Sequence, residues 1–418
     1  MRRLFAILKI GSEFWCFIMI KAAIVFLWLG AVLDPVGQMF GFRYLSIAMS
    51  FMSILWLVCM GGVQTIDKSY RSLLVLFIAI LLPLHGLLIY TFRAGGGDFI
   101  DTSYIAAGLL MIFSLIYRGK DDCIFGLKAF LLSTRILSIL IVFAYVSPFV
   151  IDNEWVSFFT ERSVALISFR EYSGLQLPYI YFLASPLLIL LVAHDFSKAR
   201  RYSSWVMYVV FVFSSFSLLL TGTRAHMIIA IFFIPLYFLL TSGVKSIFKG
   251  LVLLIMFVLM GLVFEEGKVL VGSFFSSSET SNSMKISLLD GYSEIFSRPE
   301  NLIFGQGFNA HEWSPELRGM IAMEDHASKT ELTYLELIRV FGLFVATAFI
   351  LMLLFFVRAT KRLSDEFEWI YPGLVIYLAN AAINPYLFSV NGMLPLGLFS
   401  AIVLYFGSVN LEVSNNGI

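Results

Sequence analysis

Long runs of apolar residues, separated by short polar connections, dominate the chain. The apolar positions are continuous and do not alternate with a period of two, so they indicate helices rather than strands. A helix rises 1.5 Å per residue, and about 20 apolar residues therefore cross a bilayer core of roughly 30 Å. The pattern predicts about twelve membrane spans, at residues 13–33, 43–63, 72–91, 103–118, 125–150, 176–194, 204–220, 225–243, 247–264, 331–357, 369–388 and 392–410.

Composition also indicates a membrane protein and excludes a soluble globular protein. Of the 418 residues, 59% are hydrophobic and 14% are charged, and the mean hydropathy is +0.88. We therefore predict an all-α fold, a polytopic helix bundle in which residues 1–418 form a single integral membrane domain. The net charge is +1, and the basic residues are spread over short loops without forming a patch. This distribution predicts no nucleic-acid partner. The three cysteines lack the spacing of a disulfide framework or a thiolate metal site.

Basic residues accumulate in alternate connections between the predicted helices. Because cytoplasmic loops of membrane proteins are enriched in Lys and Arg, we predict that these connections and both termini are cytoplasmic. The remaining connections then face outward, which is consistent with an even number of spans. The basic residues of the predicted cytoplasmic set are Arg2, Arg3, Lys9, Lys68, Arg71, Arg118, Lys120, Lys128, Lys198, Arg200, Arg201, Lys245, Lys249, Arg358, Lys361 and Arg362.

Two of the predicted outward connections are much longer than the others. Residues 150–175 form the shorter one and residues 265–330 the longer one, in which Pro299, Trp313 and Pro315 interrupt the apolar pattern. Long connections in a compact bundle are typically lids or binding elements. We therefore expect residues 265–330 to form a periplasmic cap, and any chemistry to face outward.

A short outward turn carries an arginine at the start of a predicted helix. The turn begins at Thr221 and places Arg224 at the N-terminal end of the eighth helix. A cation there opposes the helix dipole by roughly 0.3–1 kcal/mol, so the position favours a bound anion. Free backbone N–H groups and a guanidinium together suit a diphosphate. The alternative is an arginine that extends to the membrane interface.

The shorter outward loop contains two further arginines, Arg162 and Arg170, beside Glu161, Glu171 and Tyr172. Outward arginines favour anion binding because the predicted outward side is otherwise poor in basic residues. An ordinary solvated charged loop fits equally well. Both arginines are therefore candidates for binding a sugar phosphate, and for each the alternative is an ordinary solvated position in the loop.

Acidic residues and a histidine precede the tenth predicted helix. His326 is placed to act as a general base, although a solvated loop histidine is equally compatible. Glu331 has a structural alternative, because Ser328-x-x-Glu331 matches a capping box. No H-x-x-x-H or D-x-D pattern organises these groups, so we predict neither a metal nor another cofactor.

Arg339, Lys21 and Arg135 lie well inside predicted spans, where an unpaired charge is costly. Arg339 has Glu336 three residues earlier on the same helix face, which favours structural pairing. Lys21 and Arg135 are either members of similar buried pairs or part of a path for a lipid headgroup. The sequence does not decide between these two interpretations.

Four stretches of the chain resemble the O-antigen polymerase family, which shares its fold with the O-antigen ligases. They are LLLTGTRAHMIIA at 218–230, NLIFGQGF at 301–308, ELTYLELIRVFGLF at 331–344 and NAAINPYLFSVNG at 380–392. Their order, spacing and predicted side of the membrane fit the family over the second half of the chain, whereas the first five spans match only in hydropathy. Many members carry His-Asn where this chain has Glu331-Leu332, so either His326 or Glu331 takes the role of the base.

The resemblance implies a GT-C-like glycosyltransferase of the bacterial inner membrane. It would join undecaprenyl-diphosphate-linked oligosaccharide repeat units at the periplasmic face, without a metal and with inversion of the anomeric centre. Its partners would be the lipid-linked glycans, membrane lipid and a polysaccharide chain-length regulator. Such chemistry needs cations that hold the departing diphosphate and a base that activates the acceptor hydroxyl. The implied catalytic candidates are Arg224, His326 and Glu331, and those for substrate binding are Arg162, Arg170, Tyr334 and Arg339.

Two other functions compete with the polymerase interpretation. An O-antigen ligase transfers a finished polymer to the lipid A core with the same leaving group, but the His-Asn signature that is more typical of ligases is missing here. A lipid-linked oligosaccharide flippase or another transporter can also have twelve spans. Transporters build sites from paired broken helices in repeated halves, and the sequence has neither feature, whereas it has a long outward loop.

Overall fold

Helices make up most of the described part of the chain, and most of the predicted spans coincide with a helix over much of their length. In a computed structural model, the residues described are 2–37, 40–59, 70–93, 103–149, 154–172, 174–241, 244–263, 268–269, 272, 280–308 and 332–407. The helices are α1 (Arg2–Leu33), α2 (Phe42–Cys59), α3 (Tyr70–Leu76), α4 (Leu82–Arg93), α5 (Ser103–Ile112), α6 (Lys120–Val146), α7 (Glu154–Thr160), α8 (Leu188–Tyr202), α9 (Trp205–Leu220), α10 (Arg224–Leu240), α11 (Val244–Val263), α12 (Thr280–Phe296), α13 (Pro299–Phe304), α14 (Thr333–Thr360), α15 (Ile370–Ala381) and α16 (Val390–Phe406).

Three helical stretches are long and apolar enough to cross a membrane. They are Arg71–Phe92, Lys120–Phe149 and Thr333–Thr360. The first is continuous because a π-helical turn, Phe77–Leu81, joins α3 to α4. Shorter apolar helices in the described part of the chain are Phe17–Leu33, Tyr104–Ile116, Trp205–Leu220, Arg224–Leu240 and Val390–Phe406. The structure therefore supports a helical membrane protein, and the full set of twelve spans stays a prediction.

A β-hairpin lies where the sequence predicts an outward loop and the start of a span. Strands β1 (Ala165–Tyr172) and β2 (Leu175–Phe182) pair antiparallel. The all-α prediction is wrong at this position, and the predicted span 176–194 becomes α-helical only at Leu188. The apolar residues of β2 include tyrosine, isoleucine and phenylalanine, whose preference for strands explains the difference.

The predicted cap at 265–330 also contains regular structure. Helices α12 and α13 lie within it, so this segment is in part helical and not an irregular loop. Residues 309–331 lie outside the described residues. Helix α14 begins at Thr333, with Leu332 as its N-cap residue, so Ser328 is not the N-cap residue of this helix as the capping-box interpretation requires.

Helix α8 lies at the centre of the bundle. Its first six residues, 188–193, are fully buried. The helix packs against α9 and α15. A Cβ added to Gly373 of α15 would lie 2.8 Å from Ala193 Cβ, so the glycine permits a close approach of the two helices. This core fixes the start of α8, and with it the end of the β-hairpin.

The basic residues predicted inside spans one and five form ion pairs. Lys21 Nζ donates to Asp122 Oδ1 at 2.8 Å, between α1 and α6. Arg135 Nη2 donates to Asp195 Oδ1 at 2.5 Å, between α6 and α8. Asp195 also accepts hydrogen bonds from Ser214 and contacts His194. Both basic residues therefore have structural partners, as an intramembrane charge requires.

Helix α14 is broken at Gly342, which has φ 75° and ψ 164° in place of helical values. The four carbonyl groups before a helix end lose their helical N–H partners. Three of these four are hydrogen-bonded from outside the helix. Arg339 O accepts from Gln306 N at 2.6 Å, Val340 O accepts from Gly307 N at 3.0 Å, and Phe341 O accepts from His85 Nε2 at 3.0 Å.

Glycine is required where the segment after α13 crosses the break. Gly305 has φ +80°, and a Cβ added to it would lie 2.5 Å from Gly342 N. A Cβ added to Gly342 would overlap the carbonyl oxygen of Ile303, and one added to Gly307 would lie 2.6 Å from Tyr90 N. We call residues 303–308 the wedge, because they lie between α4 and the broken part of α14.

Replacing Gly342 tests whether the wedge holds the bundle together. We expect Gly342→Ala to lower the free energy of unfolding by about 3 kcal/mol or more, because it combines a strained positive φ with backbone overlap. Thermal unfolding in detergent measures the change. The matched control is Gly119→Ala, where φ is −166° and an added Cβ meets no atom within 4 Å. Equal stability of both variants would contradict the structure at the break.

Candidate functional site

The Thr221–Arg224 turn lies against the β-hairpin and has a tightly specified shape. Gly222 has φ +69°, and a Cβ added to it would lie 2.6 Å from Pro178 O and 2.8 Å from the Tyr179 ring. Thr223 is the N-cap residue of α10, and its Oγ1 accepts from His226 N. The turn therefore needs glycine for its backbone and for its contact, and it fixes Arg224 at the first position of α10.

Arg224 connects the turn to the predicted cap. Its Nη1 donates to Asn282 Oδ1 at 2.8 Å, and Asn282 belongs to α12. The guanidinium therefore lies between the start of α10 and the cap helix. The partner in this hydrogen bond is a neutral amide.

His226 is a buried residue of this turn that sequence reasoning missed. It is 1% exposed, and its Nδ1 lies 2.9 Å from Thr221 Oγ1. Its ring stacks on Tyr181 of β2, with centroids 6.2 Å apart and planes 25° apart. Its position two residues after Arg224 in the first helical turn was the available signal. The histidine holds the turn and the hairpin together.

A buried charge network joins α14 to α12 and the wedge. Arg339 donates twice to Glu336, from Nε at 2.9 Å and from Nη2 at 2.6 Å, and Arg339 is 2% exposed. Tyr292 of α12 donates to Glu336 at 2.7 Å. Arg339 Nη1 also donates to Gln306 Oε1 at 3.3 Å. The predicted pairing of Arg339 with Glu336 is confirmed, and Arg339 is a structural residue of the network.

The connection between α15 and α16, together with the first turn of α16, joins the start of α14 to the hairpin. Thr333 Oγ1 donates to Asn384 O at 2.8 Å. Asn391 Nδ2 donates to Leu183 O, directly after β2, at 2.5 Å. The Oδ1 atom of Asn391 is buried and has no hydrogen-bond partner among the residues that the structure describes. Tyr334 donates to Leu378 O of α15 at 3.1 Å, which gives this half-buried side chain a structural contact.

These contacts form a closed ring at one end of the bundle, which we call the polar ring. From the turn before α10 it runs to α12, to the start of α14, to the α15–α16 connection and the first turn of α16, to the end of β2 and back to the turn. All four stretches that resemble the polymerase family contribute to the ring or to the wedge that joins it. Segments far apart in sequence thus meet around one site.

The structure separates the two arginines of the shorter predicted loop. Arg170 lies on the hairpin with its guanidinium carbon 5.8 Å from the centre of the Tyr179 ring, beside the Arg224 turn. Arg162 follows α7, where its Nη1 donates to Phe158 O and its guanidinium covers the Phe158 ring at 3.8 Å. Arg170 therefore belongs near the polar ring, whereas the contacts of Arg162 are local.

The two candidates for the base, His326 and Glu331, lie outside the described residues. Residue 332 is described, and it directly precedes α14, whose first turns carry Thr333 and Glu336 of the polar ring. Among the residues that the structure describes, no group of three or more His, Cys, Asp or Glu side chains could hold a metal ion.

Comparison with known proteins identifies no relative of this chain. No family model, no curated protein and no solved structure matches it. The features that bear on function are therefore the geometry of the polar ring, the charges within it and the sequence stretches that meet there.

The Glu336–Arg339 pair can be tested by removing one partner or both. Arg339→Met leaves Glu336 buried without its cation, so we expect a loss of about 3–5 kcal/mol in the free energy of unfolding. The double variant Glu336→Leu/Arg339→Met should recover most of that loss. The control is Arg200→Met, which breaks the Arg200–Glu368 pair whose side chains are 36% and 32% exposed and should cost about 1 kcal/mol or less. A neutral Arg339→Met would contradict the network.

Proposed function

We propose that this protein is an O-antigen polymerase, a glycosyltransferase that joins undecaprenyl-diphosphate-linked repeat units. The observation that carries the proposal is the polar ring, in which the Arg224 turn, the cap helix α12 and the start of α14 meet. The ring holds a cation at the start of a helix, and the sequence directly before α14 contains acidic residues and a histidine. This arrangement suits the transfer of a glycan from a diphosphate to a hydroxyl.

The proposal includes an orientation in the bacterial inner membrane. The end of the bundle that carries the polar ring faces the periplasm, both termini are cytoplasmic, and twelve helices cross the bilayer. The positive-inside distribution of Lys and Arg supports this orientation. Membrane lipid surrounds the bundle, the lipid-linked glycans enter at the periplasmic end, and a chain-length regulator is a further proposed partner.

The reaction proceeds by a single displacement at the anomeric carbon of the donor glycan. The base, His326 or Glu331, takes the proton of the acceptor hydroxyl as the new carbon–oxygen bond forms. The bond between the anomeric carbon and the diphosphate oxygen breaks, and the undecaprenyl diphosphate leaves with the electron pair. Arg224, with help from Arg170, stabilises the charge that develops on the leaving group. In-line attack inverts the anomeric centre.

Arg224→Ala should abolish polymer formation by the purified protein. We expect a loss of at least about 100-fold in rate with the undecaprenyl-diphosphate-linked repeat unit, because the leaving group loses its cation. Arg224→Lys should retain partial activity, since it keeps the charge but not the bidentate geometry. Gel separation of the glycan products measures polymer length and amount.

The matched control for Arg224 is Arg201→Ala, at the exposed C-terminal turn of α8. It should leave polymer formation unchanged, and thermal unfolding should show that all three variants are folded. A normal polymer ladder from Arg224→Ala would contradict the proposed mechanism. In cells, loss of the gene should leave single repeats attached to core, whereas bare core would instead identify a ligase.

His326→Ala and Glu331→Gln distinguish the two candidates for the base. Removing the true base should lower kcat by about 100- to 10,000-fold with a small effect on KM, because proton transfer occurs in the transition state. Replacing the other residue should leave kcat within about threefold of the parent protein, by the same free-energy relation. Parent-like kinetics in both variants would remove this segment from the active centre.

A further inference from the structure

One face of the β-hairpin carries a row of aromatic and cationic side chains. Residues two apart on a strand share a face, so Tyr179 and Tyr181 of β2 point to the same side. The register places Ser168 opposite Tyr179 and Leu166 opposite Tyr181 on β1, with Arg170 next along that strand. Tyr179 and Tyr181 are both partly exposed.

The members of this row are evenly spaced. The guanidinium carbon of Arg170 lies 5.8 Å from the centre of the Tyr179 ring. The Tyr179 and Tyr181 centroids are 6.1 Å apart, and their planes differ by 11°. The row ends at His226, 6.2 Å from Tyr181. We call these four side chains the aromatic row.

The opposite face of the hairpin carries the contacts that hold it in the fold. Ile180 and Phe182 are 3% and 1% exposed, and the Phe182 ring packs against Phe159 of α7 with centroids 5.4 Å apart. This face therefore attaches the hairpin to the bundle, in addition to the contacts of Tyr179 with the Gly222 turn and of Tyr181 with His226. The partial exposure of Tyr179 and Tyr181 leaves surface that a ligand can cover.

The aromatic row lies directly beside the Arg224 turn. A Cβ added to Gly222 would lie 2.8 Å from a ring atom of Tyr179, and His226 belongs to the first turn of the helix that Arg224 begins. In a diphosphate-linked glycan, the first sugar is bonded directly to the diphosphate. Any residues that bind this sugar must therefore adjoin the group that holds the diphosphate.

We propose that the aromatic row is the subsite for the sugars next to the diphosphate of the donor glycan. Tyr179 and Tyr181 supply ring surface for the C–H faces of the sugar rings, and their hydroxyls and the Arg170 guanidinium supply hydrogen bonds to sugar hydroxyls. The buried His226 is a positioning residue that orients Tyr181. This inference rests on the proposed function and names the residues that recognise its substrate.

The experiment replaces each tyrosine by leucine, which keeps apolar volume on the strand but removes the ring and its hydroxyl. Tyr179→Leu and Tyr181→Leu are each compared with Phe169→Leu, a matched change on the opposite face at a residue that is 73% exposed. Two quantities are measured for each folded variant: KM and kcat with the lipid-linked repeat unit, and binding of the lipid-free oligosaccharide released from it by mild acid.

Loss of one ring should raise KM and weaken oligosaccharide binding by about five- to tenfold while changing kcat less than about twofold. Phe169→Leu should match the parent protein in both measurements. Binding and KM within twofold of the parent for both tyrosine variants would overturn the proposal. A purely structural role would lower the unfolding temperature and the fraction of active protein without changing KM, which would also overturn it.

The two proposals fail in distinguishable ways. If the parent protein binds the lipid-free oligosaccharide but forms no polymer, the polymerase assignment fails, and the subsite stands when the tyrosine variants lose that binding. If the parent forms polymer and Arg224→Ala does not, while both tyrosine variants bind and react normally, the polymerase assignment stands and the subsite fails.

Discussion

The backbone groups released at the Gly342 break are the constraint on which the rest of the structure depends. In an apolar environment every carbonyl needs a hydrogen-bond donor, and an unsatisfied one costs several kcal/mol. Here Gln306 and Gly307 of the wedge and His85 of α4 supply the donors, so backbone hydrogen bonds hold the wedge at the break. The break therefore binds the wedge, which is part of the predicted cap. The wedge follows α13, and α13 packs against the cap helix α12.

The buried Glu336–Arg339 pair reinforces this arrangement and connects it to the site. Removing two charges from water is unfavourable unless further hydrogen bonds satisfy them, and Tyr292 and Gln306 provide those bonds. The pair thus requires α12 and the wedge to be docked before it is satisfied. Rigid support of this kind, just behind a site, is what keeps a guanidinium such as that of Arg224 in a fixed position for its ligand.

Sequence reasoning identified the elements of this protein better than their contacts. Apolar runs located most of the helices, because an apolar run of about 20 residues has few possible structures other than a helix. The three-residue spacing of Glu336 and Arg339 was enough to predict their ion pair. The hairpin was missed because the apolar residues of β2 look the same as the first turn of a span. The break at Gly342 and the role of Gly305 were missed because a positive φ and a close backbone approach depend on a partner segment thirty-odd residues away. His226 was missed, although it lies two residues after Arg224, because its stacking on Tyr181 depends on a strand that the sequence did not predict.

The closed polar ring also constrains how this protein can change in evolution. Each of its segments contacts two others, so the effect of a substitution in one segment depends on the residues present in its neighbours. Asn282, for example, accepts a hydrogen bond from Arg224, so a substitution of Asn282 changes the surroundings of Arg224. Because Asn282 and Tyr292 lie on the same helix, a shift of α12 also changes the hydrogen bond from Tyr292 to Glu336. Substitutions around the ring are therefore epistatic, and a variant with a new specificity is reached through ordered, compensated steps rather than by independent single changes.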